Sequence, residues 1–176
     1  MPNMPVIRPA GGSETVGAYQ VALSRDTGPT LLALSRQSME ELEGCSAEGV
    51  HKGAYVVSDS QGTPSHILIG TGSEVPICVE AAKTLRDEGH NVRVVSMPCM
   101  ELFEEQGKEY KESVLPKACK KRVTVEALSP FGWREYATEY GACIGMTQFG
   151  ASADGDVMFE KFGFTPDNVA ATARKL

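Results

Sequence analysis

The chain has 176 residues, enough for one compact domain or for one domain and part of another at roughly 150 residues per domain. Lys and Arg number 17 against 23 Asp and Glu, a formal net charge of −6, and 41% of residues are apolar. That balance excludes a disordered chain, a coiled coil or a collagen, and argues against nucleic acid or an anionic membrane as partner.

No run approaches the ~20 apolar residues of a membrane span, and the start of the chain lacks the basic-then-apolar order of a secretory signal. Cys45, Cys78, Cys99, Cys119 and Cys143 are odd in number and form no C-x-x-C pair. Reduced, mostly structural thiols are expected rather than a disulfide framework or a zinc site. His51, His66 and His90 are too scattered to suggest a metal site.

Taken in order, Arg8 to Glu14 is a loop opening a helix, with Ser13 as N-cap and Glu14 as first-turn acid. That helix is expected to run to about Arg25 and to turn Val16, Tyr19, Ala22 and Leu23 inward. Thr30–Ser35 (TLLALS) reads as a strand buried on both faces. A helix and one strand cannot bury their own apolar faces, so this unit needs a sheet from elsewhere. Residues 36–54 are polar, Glu-rich and punctuated by glycine, which reads as a linker.

From Tyr55 the pattern alternates between strand and helix. Strands are expected at 55–58, 66–70, 92–97, 122–127 and 143–146. The helix after Thr71-Gly72-Ser73-Glu74 carries a core stripe of Val75, Cys78, Val79, Ala82 and Leu85, with Pro76 in its first turns and Gly89 at its end. One or two short helices fill Cys99–Leu115, and helices follow at Phe131–Tyr140 and Met158–Phe162. A last helix starts at Thr165-Pro166 and points Val169, Ala170, Ala173 and Leu176 inward. Strands separated by such helices pair in parallel. The expected fold is a three-layer α/β sandwich, helix–sheet–helix, around a mostly parallel sheet of about five strands.

Few residues suggest chemistry. In Thr71–Glu74 a Ser73 cap and a Gly72 turn are the ordinary reading, against the weaker one of an anion site. Glu126 ends a buried strand and is expected to satisfy loop amides, against the weaker reading of a perturbed carboxylate. Phe131, Trp133 and Tyr136 form an aromatic set suited to core packing or a subunit contact. Arg36 ends the TLLALS strand, where an arginine can grip a phosphate, although such a residue is as a rule solvated or bound to a loop. No catalytic constellation is visible.

Eight strings in order, from Arg8-Pro9-Ala10 through Leu34-Ser35-Arg36-Gln37, Lys52-Gly53-Ala54-Tyr55, Thr71-Gly72-Ser73-Glu74-Val75, Ser113-Val114-Leu115-Pro116, Val125-Glu126-Ala127 and Phe131-Gly132-Trp133 to Phe149-Gly150-Ala151-Ser152, resemble the C-terminal third of transketolase. The resemblance implies the tail of a pyrimidine-binding domain at 1–36, a linker at 37–54 and a C-terminal domain at 55–176. It implies that the complete enzyme moves a two-carbon ketol unit between ketose and aldose phosphates in the pentose phosphate pathway or the Calvin cycle. Thiamine diphosphate and Mg2+ or Ca2+ would serve it, held by sequence upstream of this chain. Of the family's functional residues one carries over, the substrate-phosphate arginine, here Arg36; no catalytic, cofactor or metal residue is expected in this chain. The remaining transketolase domains, in the same chain or a separate subunit, a homodimeric assembly and sugar phosphates are the implied partners, in cytoplasm or plastid stroma. Alone the piece is expected to be inactive. The alternatives are a stand-alone binding or scaffolding module and part of a dihydroxyacetone synthase-like ketol transferase. One departure stands out: relatives read R-P-A-D-G where this chain has Arg8-Pro9-Ala10-Gly11-Gly12, so Gly11 lacks the acidic side chain that would stabilise the entry to the first helix.

Overall fold

The computed structural model describes residues 2–176. Its centre is a five-stranded sheet built from β3 (Tyr55–Ser58), β4 (His66–Gly70), β5 (Val92–Ser96), β6 (Arg122–Glu126) and β7 (Ala142–Gly145), in the order β3-β5-β4-β6-β7. All neighbours are parallel except β3, which runs antiparallel on the edge beside β5. β4, HILIG, and β6, RVTVE, lie inside the sheet and are buried at every residue.

The pleat sends alternate residues to opposite faces. Leu68, Val92, Val94, Val123 and Val125 meet Cys78, Ala82 and Leu85 of α3 (Glu74–Asp87) and Val169, Ala170 and Ala173 of α8 (Pro166–Ala173). Ile67, Ile69, Val95 and Met97 face the other way, onto Phe103, Val114 and Tyr136 from α4 (Met100–Glu104), α5 (Lys108–Val114) and α6 (Arg134–Ala137). The three-layer sandwich and the α3 stripe are as the sequence implies. So is the start of α8, where Thr165 accepts from the Asn168 amide at 3.3 Å and Pro166 follows. α6 is shorter than expected, and Phe131 is 94% exposed while Trp133 and Tyr136 are buried. The aromatic trio therefore divides between surface and core. α7 (Gly155–Phe162) completes the helices on the first face, packing Phe159 and Phe162 there.

The segment before the sheet holds β1 (Val6–Ile7), α1 (Gly12–Ser24), β2 (Leu31–Leu32) and α2 (Ala47–His51). β2 pairs in parallel with β1 over two residues, and Leu31 and Leu34 remain exposed. Thr30–Ser35 is therefore not buried on both faces: only one short strand covers it. The α1 expectation is likewise overturned. Val16, Tyr19 and Leu23 face outward, whereas Glu14, Gly17, Ala18 and Val21 are buried. Gly17 decides this, because a Cβ there would come within 2.4 Å of the Ala47 carbonyl oxygen; only a bare backbone allows α2 so close. α2 falls within the stretch whose composition reads as a linker, yet Val50 is buried with Ile7, Ala18 and Val21.

The five cysteines are free, with Cys78, Cys99 and Cys119 buried and Cys45 and Cys143 partly so. Burial pushes the Cys45 thiol up to about 11 and the Cys99 thiol up to about 12. In a disulfide-exchange titration at pH 8, Cys143 should react first, Cys45 more slowly, and the three buried thiols only on unfolding, when five are counted. Fewer than five thiols in the unfolded, unreduced chain would contradict the all-thiol assignment.

Candidate functional site

The strand order places a crevice above the sheet. β4 leads into α3 on one face and β6 leads into α6 on the other, so the two connections diverge at the carboxyl ends of these neighbouring strands. In open parallel sheets that divergence is where ligands bind. Here the position is taken by Arg8, which arrives from the N-terminal segment. Arg8 Nη1 contacts Glu126 Oε1 and lies 2.6 Å from Glu74 Oε2. Its Nη2 donates to Glu74 Oε1 at 3.0 Å and to Ser73 Oγ at 3.2 Å. Gly72, at φ +53°, turns the chain tightly enough to admit the guanidinium, and a Cβ there would lie 3.0 Å from the Arg8 side chain.

The Thr71–Glu74 turn therefore receives a cation. Ser73 stands at the N-cap position of α3 with helical backbone angles and makes no cap bond. Its hydroxyl instead donates to Glu74 Oε1 at 3.0 Å. That corrects the cap reading; the side chain is committed to the ion cluster. Glu126 is paired, as a buried polar group is expected to be, but with the Arg8 guanidinium 118 residues away and not with loop amides. One guanidinium faces two carboxylates. Burial pushes the Glu126 carboxyl up to about 7 against the opposing pull of Arg8, and the Glu74 charge adds to the rise. Burial raises Glu74 as well, again opposed by Arg8.

A third buried acid joins the two parts of the molecule. Glu14, fully buried, accepts from Ser96 Oγ at 2.6 Å, Tyr55 Oη at 2.7 Å and the Ala10 amide at 2.7 Å. Burial outweighs these bonds and raises its pKa. It lies in the first turn of α1 as the sequence implies, but fully buried. Its helical spacing to Ala18 and Val21, four and seven residues on, is the signal that could have placed it inside.

Arg36 lies apart from both clusters. It is exposed on the loop after β2, and its chain neighbours Ser35 and Gln37, with Pro9, Gly11, Gly12 and Thr15, are among the walls of a depression of about 270 Å³. Among the described residues its guanidinium makes no hydrogen bond or ion pair, so its donors remain available for a bidentate anion. No group of three or more His, Cys, Asp or Glu side chains among the described residues is placed to hold a metal. Thiamine diphosphate does not fit the glycine turn after β4 either, because Arg8 fills it and two carboxylates flank it.

Residues 53–165 match the model of the transketolase-like TK C-terminal domain. The chain belongs to the transketolase family. It is 54% identical over 178 aligned positions to transketolase from Nostoc sp., covering all of this chain and 27% of that protein. A solved transketolase from Leishmania mexicana superposes with a TM-score of 0.94 at 47% identity, covering 100% of this chain and 25% of that one. Transketolase from Pichia stipitis, solved in complex with sedoheptulose 7-phosphate, gives a TM-score of 0.92 at 41% identity over 99% of this chain and 25% of its own. The chain thus spans about a quarter of the length of each of these three transketolases. The match confirms the family and the fold that the sequence strings imply.

Proposed function

We propose that this chain is the C-terminal portion of a transketolase which, when complete, transfers a two-carbon ketol unit between ketose and aldose phosphates. The observation that carries this reading is the alignment of the entire chain with one quarter of much longer transketolases. The outward face of α1 supports it: Val16, Tyr19 and Leu23 are 54%, 49% and 85% exposed, as expected of a helix that further pyrimidine-domain sequence covers. On this reading residues 1–36 end that domain, 37–54 connect, and 55–176 form the C-terminal domain. Thiamine diphosphate and its divalent metal supply the carbanion chemistry and are held by other parts of a homodimeric enzyme. Residues of this chain contribute Arg36, whose free guanidinium holds the substrate phosphate and orients the sugar.

Two assays on matched preparations test this. Calorimetry of the 176-residue chain with thiamine diphosphate and Mg2+ should give no binding heat. The same chain extended by the upstream three-quarters of a transketolase should bind the cofactor and transfer ketol units from a phosphorylated ketose. Micromolar cofactor binding by the 176 residues alone would refute the division of labour. An extended chain that binds but does not transfer would leave the non-catalytic module as the better reading.

A further inference from the structure

Helix α1 starts at Gly12 behind an N-cap glycine, Gly11, that has no side chain to offer the first amides. A carboxylate reaches them from outside the helix. Glu41 Oε2 accepts from the Ser13 amide at 3.0 Å, and the same oxygen would lie 3.2 Å from a Cβ on Gly11 and 3.1 Å from one on Gly12. Glu41 therefore occupies the volume that an acidic N-cap side chain would fill.

Its place in the chain gives this contact a second consequence. Glu41 follows Arg36 by five residues on the same loop. On the near side the loop is tied where the Ala33 amide donates to the Ile7 carbonyl at 2.9 Å. On the far side Leu42 packs against the cluster of Ala10, Tyr55, Val57 and Val75. Among the described residues, 34–40 form no hydrogen bond between these ties, and Glu41 is the first residue after Arg36 that does.

We propose that Glu41 is a positioning residue for Arg36: by seating its carboxylate on the first amides of α1 it closes the loop that carries the arginine between Ser35 and Gln37. The functional half of this proposal rests on the reading of Arg36 as the phosphate contact. Geometry separates the two tasks of Glu41. Gly11 is extended, at φ −178°, a conformation that any residue adopts and that an N-cap requires. An aspartate there can cap the helix, but it cannot tether the loop.

Trypsin reads the tether directly, because it cuts at Arg36–Gln37. In the 176-residue chain, Glu41→Ala should speed cleavage at that bond roughly two- to fivefold, the factor given by an exposed carboxylate at a helix start. Adding Gly11→Asp should recover the lost melting temperature but leave cleavage fast. Gly11→Asp alone should repel Glu41 and speed cleavage without lowering the melting temperature. In the complete enzyme, Glu41→Ala should raise KM for a phosphorylated ketol donor by a similar factor, leave kcat unchanged, and leave a non-phosphorylated donor unaffected. Unchanged cleavage in Glu41→Ala, or cleavage slowed again by Gly11→Asp in that background, would overturn the tether. Fast cleavage with an Arg36→Ala enzyme that treats both donors alike would instead remove the phosphate role of Arg36 and leave the tether standing.

Discussion

Replacing Arg8 by alanine should cost the folded chain about 3 kcal/mol at pH 8, the low end of the range for breaking a buried ion pair. The low end applies because the Arg8 side chain keeps 18% of its surface in water. For a chain of this length the loss corresponds to a melting temperature lower by about 6–12 °C. The cost arises from what is left behind. Glu74 and Glu126 stay buried at the end of the sheet, with no cation between them.

The cost should shrink as pH falls, and the sign follows from Glu126. Its folded pKa of about 7 lies above its ordinary value of 4.5. Its contribution to stability is therefore fully present below about pH 4.5 and is lost as pH rises through about 7. Without Arg8 both carboxyls become still harder to ionise, so the penalty of the variant grows between pH 5 and pH 8. Glu126→Gln separates the effects. It leaves Arg8 paired with Glu74 and removes the surplus charge, so at pH 8 it should be neutral or stabilising. Melting curves for the three proteins at pH 5 and pH 8 decide the matter. A Glu126→Gln loss as large as that of Arg8→Ala would mean that the second carboxylate stabilises the cluster.

In the complete enzyme, Arg36→Ala should lower kcat/KM for phosphorylated substrates by roughly 10- to 150-fold. That is the value of about 1.5–3 kcal/mol in lost charge-assisted hydrogen bonds. A non-phosphorylated ketol donor should lose far less, since it offers nothing for the guanidinium to hold. The same substitution in the 176-residue chain should leave the melting temperature unchanged, because Arg36 is exposed and makes no hydrogen bond among the described residues. Equal losses for both kinds of donor would refute the phosphate contact. A large drop in melting temperature would make Arg36 a structural residue.

Arg8 also bears on what the C-terminal domain does. The crevice that a sheet of this topology offers to a ligand is filled by a side chain from the segment before it. Beside it remains a cavity of about 430 Å³, with Met97, Met100, Leu128 and Trp133 among its walls and Arg8 and Glu126 at its polar end. The carboxyl edge of the sheet thus works as a clamp on the preceding segment. The fully buried Glu14, bonded to Tyr55 and Ser96, is a second point of the same attachment.

The sequence by itself determined what local periodicity and chain order can carry. The α3 stripe, the all-buried strands HILIG and RVTVE, the Thr165-Pro166 helix start and the ordered family strings all lie in stretches a few residues long, where spacing decides which face turns inward. Arg36 stands out in the sequence as the end of a TLLALS strand, but the strand stops at Leu32 and leaves the arginine on the loop beyond it. Tertiary structure alone decided the orientation of α1, which carries apolar residues on two faces; periodicity cannot choose between them, and the close approach of α2 at Gly17 does. It also decided which groups meet. Arg8 pairs with Glu126 across 118 residues, Glu14 with Tyr55 across 41 and Glu41 with Ser13 across 28. A charged residue shows that it needs a partner or water, but nothing in its neighbourhood along the chain names that partner. Folding brings the partner, and with it the burial that changes a surface acid into a structural one.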